Sequence, residues 1–170
     1  MRKGLAFAAA IVCMAMLAGA QQNRGPSTPE ERERFVAIAH KMEADPLNAN
    51  LKADREWAFR WLVEVPDIHV NVCMAPLGKF IDEKTYKYSP QIVLQLTLSS
   101  GAFVIEHPDK ADDKDAQYFA GVEGALKAYQ AILKGAPNAK STSLDTLLEK
   151  QASGQLADFV REQAKTGCQG

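Results

Sequence analysis

Apolar residues recur along most of this chain at intervals of three and four, the spacing of a helix with one buried face. Phe35, Ile38, Ala39 and Met42 show it first. Ahead of them, Thr28-Pro29-Glu30-Glu31 supplies a capping hydroxyl, a proline at the first helical position and a glutamate three residues after the cap. Together these predict a helix that starts at Pro29. Asp45-Pro46 stops it near Ala44, because a residue before proline is steered out of the helical region. The same pair, taken as cap and first-turn proline, predicts a second helix over Pro46 to about Val65. Leu47, Leu51, Ala58, Trp61, Leu62 and Val65 gather on its inner face. Lys52, Glu56, Arg60 and Glu64 run along the opposite face, alternating in sign at i,i+4, so that each is placed to pair with the next. Trp57 and Trp61 are also four apart, and at this spacing they read as core rather than as a stacking platform for a ligand.

Pro66 ends the second helix, and Asp67 to Tyr88 is the least regular stretch. Ile68, Val70 and Val72 alternate with His69 and Asn71, which predicts a short extended segment near 67–73. A connection of about 20 residues without structure of its own is long for a compact domain; such segments are functional or pinned in place. Beyond it, Ile92, Leu94, Leu96 and Leu98 alternate as in a strand, so a hairpin through Ser99-Ser100-Gly101 into Ala102 to Ile105 competes with a helix. The Ser89-Pro90 cap signal and the leucine-rich composition favour a buried helix over 90–106, with Gln91, Gln95, Ser99 and Glu106 on one polar stripe.

Asp109, Asp112, Asp113 and Asp115 crowd the start of the next element. A calcium loop counted from Asp109 needs glycine sixth and glutamate twelfth, where this chain has Lys114 and Ala120; the acids read instead as complements of a helix dipole. The helix they open runs to Lys134, with Phe119, Val122, Leu126, Tyr129 and Leu133 on one seam and Gly121, Gly124, Ala128 and Ala131 on a second. Small residues admit a close neighbour, which makes this the central helix, closed by Gly135 and Pro137. Ala125, Tyr129, Ile132 and Pro137 resemble the second helix of a tetratricopeptide repeat in their spacing. Asp109, Asp112, Asp113 and Ala116 depart from the first helix of that pattern, so the resemblance implies a helical hairpin only. Ser143 to Ala152 and Gln155 to Lys165 supply two short final helices. The expected fold is mainly α, a single-domain helical bundle of about five to six helices over 29–170 with the extended segment near 67–73.

Composition adds an address. The 170 residues are 46% hydrophobic and 24% charged, ordinary for a globular chain. Met1 to Lys3 is a basic start, Leu5 to Leu17 is apolar, and Ala18-Gly19-Ala20 has the small-residue pattern that signal peptidases accept. The apolar run, about 13 residues, falls short of the roughly 20 that a bilayer core requires. A signal peptide over 1–20 is therefore expected, cut between Ala20 and Gln21 and recognised through Ala18 and Ala20, followed by a flexible leader over 21–28. Cys13 follows Val12 inside the apolar run and does not fit a lipid-attachment site. The expected location is periplasmic or secreted, with no stable membrane anchor after cleavage.

Losing Arg2 and Lys3 leaves 18 basic residues against 21 acidic ones, a net charge of −3. With no cluster of Lys or Arg after Ala20, nucleic acid is excluded as a partner and an anionic membrane surface is disfavoured. Two cysteines then remain, Cys73 and Cys168, and an oxidising compartment makes a bridge between them the expected state over two free thiols.

The motifs G-x-S-x-G, H-E-x-x-H, G-x-G-x-x-G, Walker A and E-x-x-H are absent from the sequence. Its three histidines, His40, His69 and His107, lie far apart, and His40 with Glu43 reads as an i,i+3 surface ion pair. No catalytic, cofactor-binding or metal-binding residue is named on this basis, and no cofactor is expected. The function these features favour is a binding or scaffolding module acting through helix surfaces, its partner another envelope or secreted protein. The alternative is an enzyme without a recognisable motif, centred on His69 and the 67–88 loop, which calls for a concave polar pocket with perturbed titrating groups there.

Overall fold

Thr28 does cap the first helix. Its hydroxyl accepts the Glu31 N–H at 3.2 Å, and the Glu31 carboxylate accepts the Thr28 N–H at 3.1 Å, closing the box at the start of α1 (Pro29–Ala44). This is a computed structural model that describes residues 24–168 other than Lys84; the signal peptide expected over 1–20 and its cleavage site at Ala18, Ala20 and Gln21 lie outside the described residues. The part of the expected flexible leader that is described is tied down. Arg24 pairs with Glu31 at 2.6 Å, while the Ser27 N–H and hydroxyl donate to Asp67 at 2.7 and 2.8 Å.

The second helix begins later than its proline suggested. Asp45 to Asn48 form a turn, Ala49–Leu51 a 3₁₀ turn, and α2 spans Lys52–Glu64. Asn48 takes over as cap: its side chain accepts the Asn50 N–H at 2.9 Å and donates to Asp45 at 3.0 Å. Leu47, expected on the inner face, is consequently exposed. Ala58 and Trp61 are buried as expected, Trp61 lying 4.9 Å from Phe35 of α1 between ring centroids. Trp57 stacks on Trp61 at 5.8 Å, with the Arg34 guanidinium 4.0 Å above it.

The long connection is not structureless. Residues 68–73 run without bend or turn and form no strand, and then Ala75–Asp82 winds into 3₁₀ turns broken at Gly78, whose φ is 61°. This piece buries Leu77 and Phe80 completely in the core. α3 (Ser89–Glu106) is a helix throughout, and the hairpin alternative is not formed. Ser89 is its first residue rather than its cap, and no side chain caps it. Its polar stripe reaches water only at its ends: Gln95 and Ser99 are buried, Gln91 is half-buried and Glu106 is exposed.

α4 (Lys114–Gly135) starts at Asp113, whose carboxylate accepts the Ala116 N–H at 3.0 Å. α5 (Thr142–Ala152) is capped by Ser141, and α6 (Leu156–Gly167) completes the bundle. α3 and α4 lie together along the small-residue seam. A Cβ at Gly124 would overlap the Ser99 side chain and stand 2.9 Å from Glu43 Oε1; at Gly121 it would stand 2.9 Å from the Leu96 carbonyl oxygen. Two apolar clusters result. One unites Leu77, Phe80, Ile92 and Leu96 with the inner residues of α4, α5 and α6, and the other unites α1, α2 and Ile68 with Leu98, Ala102 and Val104. Cys73 and Cys168 form a disulfide with Cα atoms 5.7 Å apart, fastening the end of the 68–73 segment to the end of α6.

Candidate functional site

The His69 region is a shallow groove of mixed polar and apolar lining. Val65 and Ile68 to Val72, with Leu62 and Val63 of α2 and Thr97 of α3, enclose about 380 Å³. His69 is exposed, and no hydrogen bond or ion pair joins it to another described residue. Asn71 is engaged structurally: its N–H donates to Gln117 Oε1 at 2.7 Å, and Gln117 Nε2 in turn donates to the Ala111 carbonyl. The fold thus sets one imidazole in a groove and brings no acid or nucleophile into hydrogen-bonding contact with it.

Perturbed ionisable groups gather instead where α1, α3 and α4 meet. Glu43 is nearly buried; its Oε1 accepts the Ser99 hydroxyl at 2.8 Å, and its Oε2 accepts Lys127 Nζ at 3.1 Å and faces His40 Nδ1 at 3.2 Å. His40 Nε2 reaches Glu106 Oε1 at 3.1 Å. Burial opposes ionisation of Glu43, yet Ser99, His40 and Lys127 together hold its carboxyl below the ordinary value. The hydrogen bond to Glu106 raises His40 against the opposing effect of its partial burial, and Glu43 adds to the rise. An imidazole between two carboxylates is suited by its doubly protonated form, which donates from both nitrogens. Because both nitrogens are committed to protein carboxylates, neither is presented to a substrate, and the cluster acts as a clamp between helices. The i,i+3 pair was legible in the sequence; Glu106, Ser99 and Lys127 as its partners were not.

A second polar corner lies at the start of α5. Glu83 accepts the Ser141 hydroxyl at 2.6 Å and the Ser143 N–H at 2.9 Å, while Ser141 N–H donates to the Tyr129 oxygen at 2.9 Å and Tyr129 donates to Asp145 at 2.7 Å. Burial pushes the Tyr129 hydroxyl up to about 12 and Tyr86 higher still, so both phenols keep their protons. The neighbouring cleft, about 650 Å³, is bordered by Tyr86, Tyr88, Lys87 and Lys140. Glu83 and its partners are satisfied by one another, and this set holds the 3₁₀ segment against α5.

The remaining unsatisfied surface is apolar and lies on the outer side of α2. Phe59 is 50% exposed and Val63 71%, one helical turn apart, and Val72 is 49% exposed on the adjoining segment. Val63 and Val72 line the same groove. Lys52, Glu56, Arg60 and Glu64 are exposed beside them, as their spacing predicted. Only Lys52 and Glu56 meet, at 3.9 Å; Arg60 and Glu64 have no ionic or hydrogen-bonded side-chain partner among the described residues. Among the described residues no cluster of three His, Cys, Asp or Glu side chains is placed to hold a metal ion, and no helix is long and apolar enough to cross a membrane. No family model, curated protein or solved structure matches the chain.

Proposed function

We propose that the protein is an exported binding or scaffolding module, and that it docks an envelope or secreted protein on the outer face of α2 and the groove beside it. The observation that carries this reading is the solvent exposure of Phe59, Val63 and Val72 on neighbouring elements, which among the described residues are the three most exposed of four large apolar side chains left exposed outside the two cores, Leu47 being the fourth. Apolar side chains collected at a rim of charged ones mark a docking surface more often than a site of chemistry. Export follows from the basic start, the apolar run and Ala18-Gly19-Ala20.

A photo-crosslinking residue at position 63, compared with one at exposed Glu149 on α5, tests the docking face in the native compartment. Protein adducts at 63 and none at 149 support it, whereas equal yields, or none at either position, overturn it. Phe59→Ser with Val63→Ser should remove the adducts when the crosslinker is moved to 72, with little change in unfolding free energy, since exposed substitutions cost within about 0.5 kcal/mol. Export is tested by intact mass, which should begin at Gln21.

A further inference from the structure

The charges on the α2 face are arranged so that the face complements itself. Lys52, Glu56, Arg60 and Glu64 read plus, minus, plus, minus along one i,i+4 row. If a second α2 is laid antiparallel across the outer face of the first, with a two-fold axis level with the buried Ala58 along the helix, Lys52 stands opposite Glu64 of the other copy and Glu56 stands opposite Arg60. All four contacts then join unlike charges. Sliding one turn in either direction sets Arg60 on Arg60 or Glu56 on Glu56, and a parallel, in-register pair sets like on like throughout. One antiparallel register is therefore favoured and its neighbours are penalised.

The uncharged residues fit the same axis. Phe59 is one residue from Ala58, so the two Phe59 side chains lie about 3 Å apart along the helix direction and meet beside the two-fold. Val63, one turn further out, faces Ala53 of the other copy, which is exposed. A self-complementary patch with a large side chain near its centre meets the symmetry requirement of an isologous contact and places apolar burial where binding energy concentrates. Arg60 and Glu64, which lack side-chain partners among the described residues, gain them across the axis.

We infer that the occupant of the α2 face is a second copy of this chain, forming an antiparallel two-fold dimer whose axis crosses the outer face of α2 at the level of Ala58. This rests on the reading of that face as a docking surface and names its partner. Sedimentation equilibrium of the mature chain over a range of concentrations tests it, with the crosslinker at 63 as the second readout. The expected result is a reversible monomer–dimer equilibrium, weakened at least about tenfold by Arg60→Glu, which sets two like-charge contacts across the axis. It should be restored by adding Glu56→Arg to the same chain, which swaps the signs and leaves the two-fold complementary. Thermal melting of each variant separates loss of pairing from loss of fold. A wild-type chain that is monomeric at all concentrations, or a dimer indifferent to both substitutions, overturns the inference. Adducts at 63 to a different protein alongside a monomeric chain overturn self-pairing but leave the docking face standing; a monomer with no adducts overturns both.

Discussion

Replacing Gly124 by alanine sets two familiar effects against each other on one helix. Alanine favours the helical state over glycine by about 1 kcal/mol in a helix interior. Against this, the new methyl group would occupy the space of the Ser99 side chain and approach Glu43 Oε1 at 2.9 Å. Because the Ser99 Cβ as well as its hydroxyl is overlapped, a rotamer change is insufficient and α3 must move away from α4. Overpacking of this kind costs about 1 to 3 kcal/mol. Displacing Ser99 also breaks the 2.8 Å hydrogen bond to Glu43, and hydrogen bonds to a charged group contribute roughly 1.5 to 3 kcal/mol. The clash and the lost bond outweigh the propensity gain, so Gly124→Ala should destabilise by roughly 2 to 4 kcal/mol. The internal control is Gly135 on the same helix, where an added Cβ meets nothing within 4 Å. Gly135→Ala should stabilise by about 0.4 to 1 kcal/mol. Urea unfolding of both variants gives the comparison. If Gly124→Ala is as stable as the parent, or behaves like Gly135→Ala, α3 and α4 do not approach at this seam.

Stability should be greatest between about pH 4.5 and 6.5, the ordinary values of the two clamp residues. The raised His40 contributes below its unfolded value and loses that contribution as pH climbs through its folded value. The lowered Glu43 contributes above its unfolded value and loses that as pH falls through its folded one. Urea midpoints against pH measure this, and His40→Gln should flatten the decline on the alkaline side; an unchanged alkaline limb would show that His40 carries none of it. Reducing the Cys73–Cys168 bridge, which spans 95 residues, should cost about 4 to 5 kcal/mol on the chain-entropy model. Thiol alkylation of the unreduced exported protein should find neither cysteine free. His69→Ala should leave the melting temperature unchanged, since its exposed side chain has no partner among the described residues; loss of an assayed activity in a fully folded His69→Ala protein that still crosslinks at 63 would bring the enzyme alternative forward.

What the sequence made legible was local. The Thr28 capping box is contained in four residues, and the α1 helix it opens has the bounds that were expected. The start of α2 was misplaced because two caps compete three residues apart, and the choice fell to Asn48 through its bonds to Asn50 and Asp45. The 3₁₀ segment had no readable period: Gly78 breaks it with a positive φ, and an added Cβ there would stand 3.2 Å from the Phe159 ring of α6, a neighbour nothing nearby in the chain announces. Burial of the Gln95 and Ser99 stripe was hidden for a related reason. Polar residues at helical spacing look like a wet face until a buried acceptor from another helix, here Glu43, is supplied. The polar corner of Glu83 and Ser141 joins residues 58 positions apart, beyond any local pattern.

α3 serves two interiors at once. Its first half gives Ile92 and Leu96 to the cluster built with α4, α5 and α6, and its second half gives Leu98, Ala102 and Val104 to the cluster built with α1 and α2. The two clusters therefore share a wall but not a fate. If α1 and α2 lift away, the larger cluster keeps all its members and the disulfide still fastens the chain at Cys73. If α4 leaves, the larger cluster loses Val122, Ala125, Leu126, Tyr129 and Ile132, α3 loses the neighbour at its small-residue seam, and Glu43 of α1 loses Lys127. Opening is directional, and amide exchange should find α1 and α2 released together at a lower free energy, with α4 and the first half of α3 exchanging only when the whole molecule unfolds.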